Sequence, residues 1–251
     1  MWRSLGTLGK GVVYARVIMV SIAQNILQVR HRLNAACEAA GRPADAVTLL
    51  AVSKTCPPDA VREAFAAGQR AFGENYVQEA LAKIEALADL QPRPVWHLIG
   101  PLQANKTRVV AEQFDWVHSV DRLKIAERLS AQRPAGLPAL QVCLQVNISG
   151  EDSKSGVTLE ALPALAQAVA ALPRLTLRGL MAIPEPAGDL SAQRLPHRRL
   201  REAFEALQAL GLSLDTLSMG MSADLEAAVL EGATMVRIGT AIFGARPRPV
   251  A

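Results

Sequence analysis

Residues 47–73 read VTLLAVSKTCPPDAVREAFAAGQRAFG, and the punctuation of this stretch decides the fold. Val47–Ser53 is a short, almost unbroken apolar run, as a strand shows when both of its faces are buried. Lys54 ends the run. Pro57 and Pro58 then open a helical stretch, Pro57–Ala67, that Gly68 closes. Arg70–Gly73 begins the next strand. A strand, a helix and a second strand in such close order describe a crossover between parallel neighbours.

The same beat continues down the chain. Helices are expected at Tyr76–Ala88, from Asn105, from Asp121, at Leu159–Ala171, Leu195–Leu210 and Ala223–Glu231. Between them lie strands at Val95–Ile99, Trp116–Ser119, Ala139–Ile148, Leu175–Ile183, Thr216–Met219 and Met235–Phe243. Upstream, Ile22, Ile26, Val29 and Leu33 recur at helical spacing and mark an opening helix. The reading gives eight strands, each but the last followed by a helix, which fits a single α/β domain folded as a (β/α)8 TIM barrel. No GxGxxG follows the first strand, so a doubly wound dinucleotide fold is the weaker choice. An open sheet would remain if the short second and seventh strands were loops.

Composition narrows the class further. The chain has 251 residues, half of them hydrophobic and only 4% aromatic, and that length suits one barrel. Mean hydropathy is +0.17, and no apolar run approaches the roughly 18 residues of a membrane span. Cys37, Cys56 and Cys143 are widely spaced, without a CxxC pair, which argues against a disulfide scaffold or zinc site and fits a reducing cytoplasm. His31, His97, His118 and His197 show no ligand spacing either.

The formal charge of +4 hints at an acidic partner, but its source is local. Residues 1–18 carry Arg3, Lys10 and Arg16 and no acid; the first acid is Glu38. A basic leader can be a transit peptide. The plainer reading is that the working domain is 19–251, beginning at Met19, with 1–18 as upstream sequence. On that reading the net charge is +1 rather than +4. Arg194, Arg198, Arg199 and Arg201 then read as a solvated helix face, and no nucleic-acid partner is expected.

In such a barrel the active face is built at the C-terminal ends of the strands. Those ends are Lys54, Glu74–Asn75, Gly100, Ser119, Asn147, Met181, Met219 and Gly239. A lysine at a barrel mouth is partly desolvated, which lowers its pKa and makes the amine nucleophilic toward carbonyls. Ser218-Met219-Gly220-Met221-Ser222 and Arg237-Ile238-Gly239-Thr240 fall after strands seven and eight, where barrels bind phosphate. Ser222 reads as the N-cap of the helix from Ala223. A Schiff-base lysine facing a phosphate cradle describes a pyridoxal phosphate site, and equally a class I aldolase acting on a phosphosugar.

Further segments carry a resemblance. They are Ala51-Val52-Ser53-Lys54-Thr55, the run from Phe72 to Glu79 (FGENYVQE) and the run from His97 to Lys106 (HLIGPLQANK). To these add His118-Ser119-Val120-Asp121, Val146-Asn147-Ile148 with Ser153-Lys154-Ser155-Gly156, and Gly179-Leu180-Met181-Ala182-Ile183. The run from Ser218 to Asp224 and the run from Val236 to Gly244 complete the set. In order and spacing they resemble the pyridoxal phosphate homeostasis protein family, from about residue 20 to residue 244.

The resemblance implies a barrel like the N-terminal domain of alanine racemase (fold type III), with pyridoxal 5′-phosphate held as a Schiff base on Lys54. It implies Ser218, Ser222, Gly239 and Thr240 around the phosphate, Arg237 facing the pyridine nitrogen, and Asn75 and Met219 beside the ring. A guanidinium, with a pKa of about 12.5 or more, donates to that nitrogen and weakens the ring as an electron sink. A racemase needs a second base, usually a tyrosine, and only Tyr14 and Tyr76 are present. A cytoplasmic, monomeric carrier that can pass the cofactor to apo-enzymes fits better than a racemase of the same fold or an aldolase. Cys56 reads as an apolar filler, Lys154 as a solvated loop charge, and Pro184–Pro196 as a loop.

Overall fold

The structure, a computed structural model, describes residues 21–149 and 155–244. The expected leader, the start at Met19 and Lys154 lie outside these residues. Eight parallel strands close on one another in sequence order, with β8 pairing back onto β1. They are β1 (Thr48–Val52), β2 (Ala71–Glu74), β3 (Val95–Leu98), β4 (Trp116–Val120), β5 (Leu140–Gln145), β6 (Leu175–Met181), β7 (Thr216–Ser218) and β8 (Met235–Ile238). The expected barrel is the observed one, and the short β2 and β7 are true members of it.

The outer layer explains how a barrel closes without a long helix after its last strand. Seven helices connect the strands: α2 (Pro58–Ala66), α3 (Val77–Ala86), α4 (Thr107–Gln113), α5 (Leu123–Gln132), α6 (Leu162–Ala170), α7 (Leu190–Ala209) and α8 (Leu225–Leu230). The eighth place is taken by α1 (Ile22–Ala39), which packs against α8, α2 and the short α9 (Thr240–Phe243). Ser21 starts α1 with a complete capping box, its Oγ accepting from Gln24 N–H while the Gln24 side chain accepts from Ser21 N–H. Ile26, Val29, Leu33, Ala36 and Cys37 form its buried stripe. Asn25 Nδ2 donates to Ile242 O at 2.8 Å and ties α1 to α9.

Two apolar cores result. The large one lies between strands and helices; the small one, inside the barrel, holds Leu50, Val52, Ile99 and Met235. Several sequence boundaries shift. Gly239–Phe243 is not strand: Ile242 and Phe243 N–H both donate to Gly239 O, so the chain turns into α9 at the mouth. α7 begins at Leu190, five residues before the expected start, because Asp189 caps it through Ala192 N–H, and it runs on through Pro196. β5 stops at Gln145, with Val146 in an isolated bridge to Val157. α8 starts at Leu225 after Asp224, so Ser222 is not its N-cap. No helix among the described residues is long and apolar enough to cross a membrane.

Candidate functional site

Lys54 follows β1 and lines a cavity of about 250 Å³ at the C-terminal mouth of the barrel. Asn75, Arg237, Gly239, Thr240, Met221, Ser222 and Ala223 share that cavity, with Val52, Ile99 and Ile183 as its apolar side. An adjoining cavity of about 300 Å³ shares Asn75, Ile99 and Ile183 and continues toward Gln145, Asn147 and Glu185. Six of the eight expected site residues are therefore brought to one hollow. Ser218 and Met219 are not. Met219 is fully buried in the core between strands and helices, and Met221 lies on the wall instead. Ser218, also fully buried, meets Arg237 and His118 through its hydroxyl.

The segment carrying Lys54 is clamped from behind. Lys83, on α3 and only 2% exposed, donates Nζ to Ser53 O (2.6 Å), Glu74 Oε1 (2.7 Å) and Glu79 Oε1 (2.6 Å). Ser53 Oγ donates to Glu74 Oε1 at 2.6 Å, and Thr55 N–H donates to Glu79 Oε1 at 2.5 Å. The residues on both sides of Lys54 are thus anchored to one buried ion cluster. Thr55 pays locally for this, with φ 65, a left-handed conformation that a β-branched residue adopts rarely. Burial raises the Glu74 carboxyl above its usual range, against the lowering effect of Lys83, and Glu74 Oε2 is buried without a hydrogen bond.

Arg237 is held from below. Its NH1 donates to Ser218 O (2.5 Å) and Ser218 Oγ (2.9 Å), and its NH2 donates to Ala182 O (2.8 Å). Ser218 Oγ lies 2.8 Å from His118 Nδ1, and His118 Nε2 lies 2.9 Å from His97 Nδ1. Arginine is always a donor, so Ser218 accepts from Arg237, and the two imidazoles extend that contact as a buried polar column behind it. Both rings are neutral, because burial drives His97 down to about 3 and His118 well below its ordinary value. Burial also lowers Arg237 to about 10, which leaves it charged at neutral pH.

The third wall supplies anion donors. The N–H groups of Ser222, Ala223, Gly239 and Thr240 take no backbone acceptor among the described residues. All four residues line the cavity that Lys54 and Arg237 face. Asn75 Oδ1 is buried beside it with no hydrogen-bond partner. Gly100 lets the chain pass tightly here, since a Cβ would lie 2.2 Å from Asn75 O. A phosphate needs several N–H donors and an aromatic aldehyde needs an amine, a flat apolar wall and a cation; the residues present fit such a cofactor.

The sequence reading missed Lys83, Glu79, His97, His118 and Asp224 as parts of the site's support. Only Glu79 and Lys83 carried a local signal, their i,i+4 spacing on a helix. His97 and His118 act across the barrel, and Asp224 acts on its own loop and on His197 of α7.

A closed parallel barrel with its lysine and arginine at the strand ends defines the class, and the family model for the alanine racemase N-terminal domain matches residues 25–247. The chain is 66% identical over 228 residues to the pyridoxal phosphate homeostasis protein of Pseudomonas aeruginosa, covering 91% of this chain and 97% of that one. It is 56% identical over 229 residues to the protein of the same name from Escherichia coli, covering 91% and 98%. PipY from Synechococcus elongatus, solved with PLP bound, superposes with a TM-score of 0.78 at 40% identity, covering 89% of this chain and all of that one. The chain belongs to the alanine racemase N-terminal domain family and, within it, to the pyridoxal phosphate homeostasis proteins.

Proposed function

We propose that this protein binds pyridoxal 5′-phosphate through Lys54 and serves as a carrier in cofactor homeostasis, with little catalysis of its own. One observation carries the reading: Lys54, Arg237 and four residues whose backbone N–H groups take no backbone acceptor among the described residues line one cavity of about 250 Å³. The names of its relatives and the PLP held by PipY support the choice of ligand. Ser222, Gly239 and Thr240 hold the phosphate by backbone or side chain, Arg237 faces the pyridine nitrogen, and Asn75 borders the ring. When bound, the cofactor supplies an electrophilic aldehyde that an amine captures reversibly.

The chain's own groups favour holding over turnover. Arg237, charged and fixed at three points, would hold the ring nitrogen by donating to it and so disfavour its protonation. Among the described residues lining the Lys54 cavity there is no tyrosine, histidine or acid, and Glu185 lines the adjoining cavity instead. Tyr76 is 58% exposed and does not line it. A cytoplasmic monomer that delivers its cargo to apo-enzymes completes the reading.

The test is visible absorbance and intact mass before and after borohydride, on wild type and Lys54→Ala. Wild type should gain the mass of one reduced cofactor adduct, and Lys54→Ala should not. An adduct retained by Lys54→Ala would overturn the site. Racemisation of L-alanine well above the rate with free cofactor would overturn the carrier reading, and a trapped phosphosugar would indicate an aldolase.

A further inference from the structure

The loop at the phosphate-facing wall is shaped by side chains that never reach the cavity. Asp224 uses both carboxylate oxygens: Oδ1 accepts from Met221 N–H at 2.7 Å, and Oδ2 lies 2.9 Å from His197 Nε2. His197 comes from α7 and is 1% exposed. From the other side, Arg32 on α1 donates NH1 to Ser222 O at 2.7 Å and pairs with Glu226 at 2.5 Å. Gly220 threads between them at φ 91, where a Cβ would lie 2.5 Å from Ala228 Cβ.

The Asp224 carboxylate does not cap α8. It stands at the N-cap position yet makes no side-chain capping bond. Its two acceptors are spent on the loop and on His197. His197 has no other polar role, because its Nδ1 is buried without a partner. An apolar side chain would fill the same space without leaving a ring nitrogen unsatisfied. The purpose that remains for this imidazole is to donate from Nε2 to Asp224 and hold its orientation.

We propose that His197 and Asp224 are a positioning pair that fixes the Met221–Ala223 wall and thereby sets the preference of the cavity for the phosphorylated aldehyde over its unphosphorylated form. This deepens the pyridoxal phosphate reading and rests on it. The amine and the ring-facing groups come from elsewhere: Lys54 follows β1, Asn75 follows β2 and Arg237 lies on β8. Only the phosphate depends on the exact placement of the Ser222 and Ala223 N–H groups. Donors held rigidly bind an anion without a reorganisation cost, and loosening them weakens that end of the ligand alone.

The test titrates pyridoxal phosphate and pyridoxal separately into wild type, His197→Leu and His197→Gln, read by absorbance and by borohydride-fixed mass. His197→Leu should weaken pyridoxal phosphate binding by about tenfold or more and leave pyridoxal binding within about twofold. His197→Gln, which can still donate to Asp224, should recover most of the loss. If His197→Leu does not fold, His197→Phe keeps the ring volume without the donor and serves for the same comparison. Equal loss of both ligands, or no loss of the phosphorylated one, would overturn the proposal. A wild type that fixes neither ligand on Lys54 would overturn the underlying site reading instead, so the two failures are distinct.

Discussion

At the residue scale, Lys54 is held in place by its neighbours' partners. Lys83 is a buried ammonium whose three acceptors include Ser53 O, one residue from Lys54, and two carboxylates. Removing one member of a buried ion cluster leaves the others uncompensated, which typically costs about 3–5 kcal/mol. Lys83→Met should therefore lower stability by about that amount in denaturant unfolding, and it should slow fixation of pyridoxal phosphate on Lys54. Normal stability would show that the cluster is dispensable. Thr55 offers the opposite test. Asparagine tolerates its φ of 65 better than threonine does, so Thr55→Asn should raise stability by about 0.5–1 kcal/mol in the same assay. A fall would mean that the threonine side chain compensates for its backbone.

Elements meet at the mouth with almost no spare room. The segment after β3 touches the segment after β2 at Gly100, where a Cβ would lie 2.2 Å from Asn75 O and 2.6 Å from Asn75 Cα. These are backbone atoms, which cannot rotate away as a side chain would. Gly100→Ala should displace Asn75 and weaken pyridoxal phosphate binding by about tenfold, a loss of about 1.4 kcal/mol. Equilibrium titration measures this, and unchanged affinity would show that Asn75 does not border the ligand. The element boundaries were only partly legible in the sequence. Gly239–Phe243 reads as a continuing apolar strand, because Ile242 and Phe243 are as apolar as the strand before them. Their destination is α1, across nearly the whole chain, and local pattern cannot express that contact. The late start given to α7 has a local cause: Pro196 looks like a helix entrance, whereas Asp189 is the actual cap.

Across the whole molecule, the barrel interior carries a polar column of two neutral histidines linked to Arg237 through Ser218. Burial lowers the pKa of both rings when folded, His97 to about 3, while in the unfolded chain they titrate near 6.5. Below about pH 6.5 the unfolded state thus binds more protons than the folded one. The stabilisation is complete above that pH; for His97 it is lost as pH falls toward about 3, and His118 adds a loss of the same sign. Urea unfolding at pH 7, 6 and 5 should show this decline, together with proton uptake on unfolding. A flat profile would mean that neither ring is held below its ordinary range in the fold.

The sequence by itself determined the alternation of strands and helices, the single barrel, Lys54 at the end of β1 and the two glycine-containing segments after β7 and β8. Those are local facts, written in apolar runs, prolines, glycines and spacing. Only the tertiary structure decided which motif residues face the cavity. Ser218 and Met219 stand in the same motif as Ser222, yet one meets Arg237 and His118 and the other lies in the outer core. Successive strand residues alternate faces, and the loop that follows takes its shape from His197 and Arg32, far away in sequence. The supports for Lys54 and Arg237 are likewise buried hydrogen bonds between separate strands and helices. Partners of that kind exist only once the barrel has closed and excluded water from them.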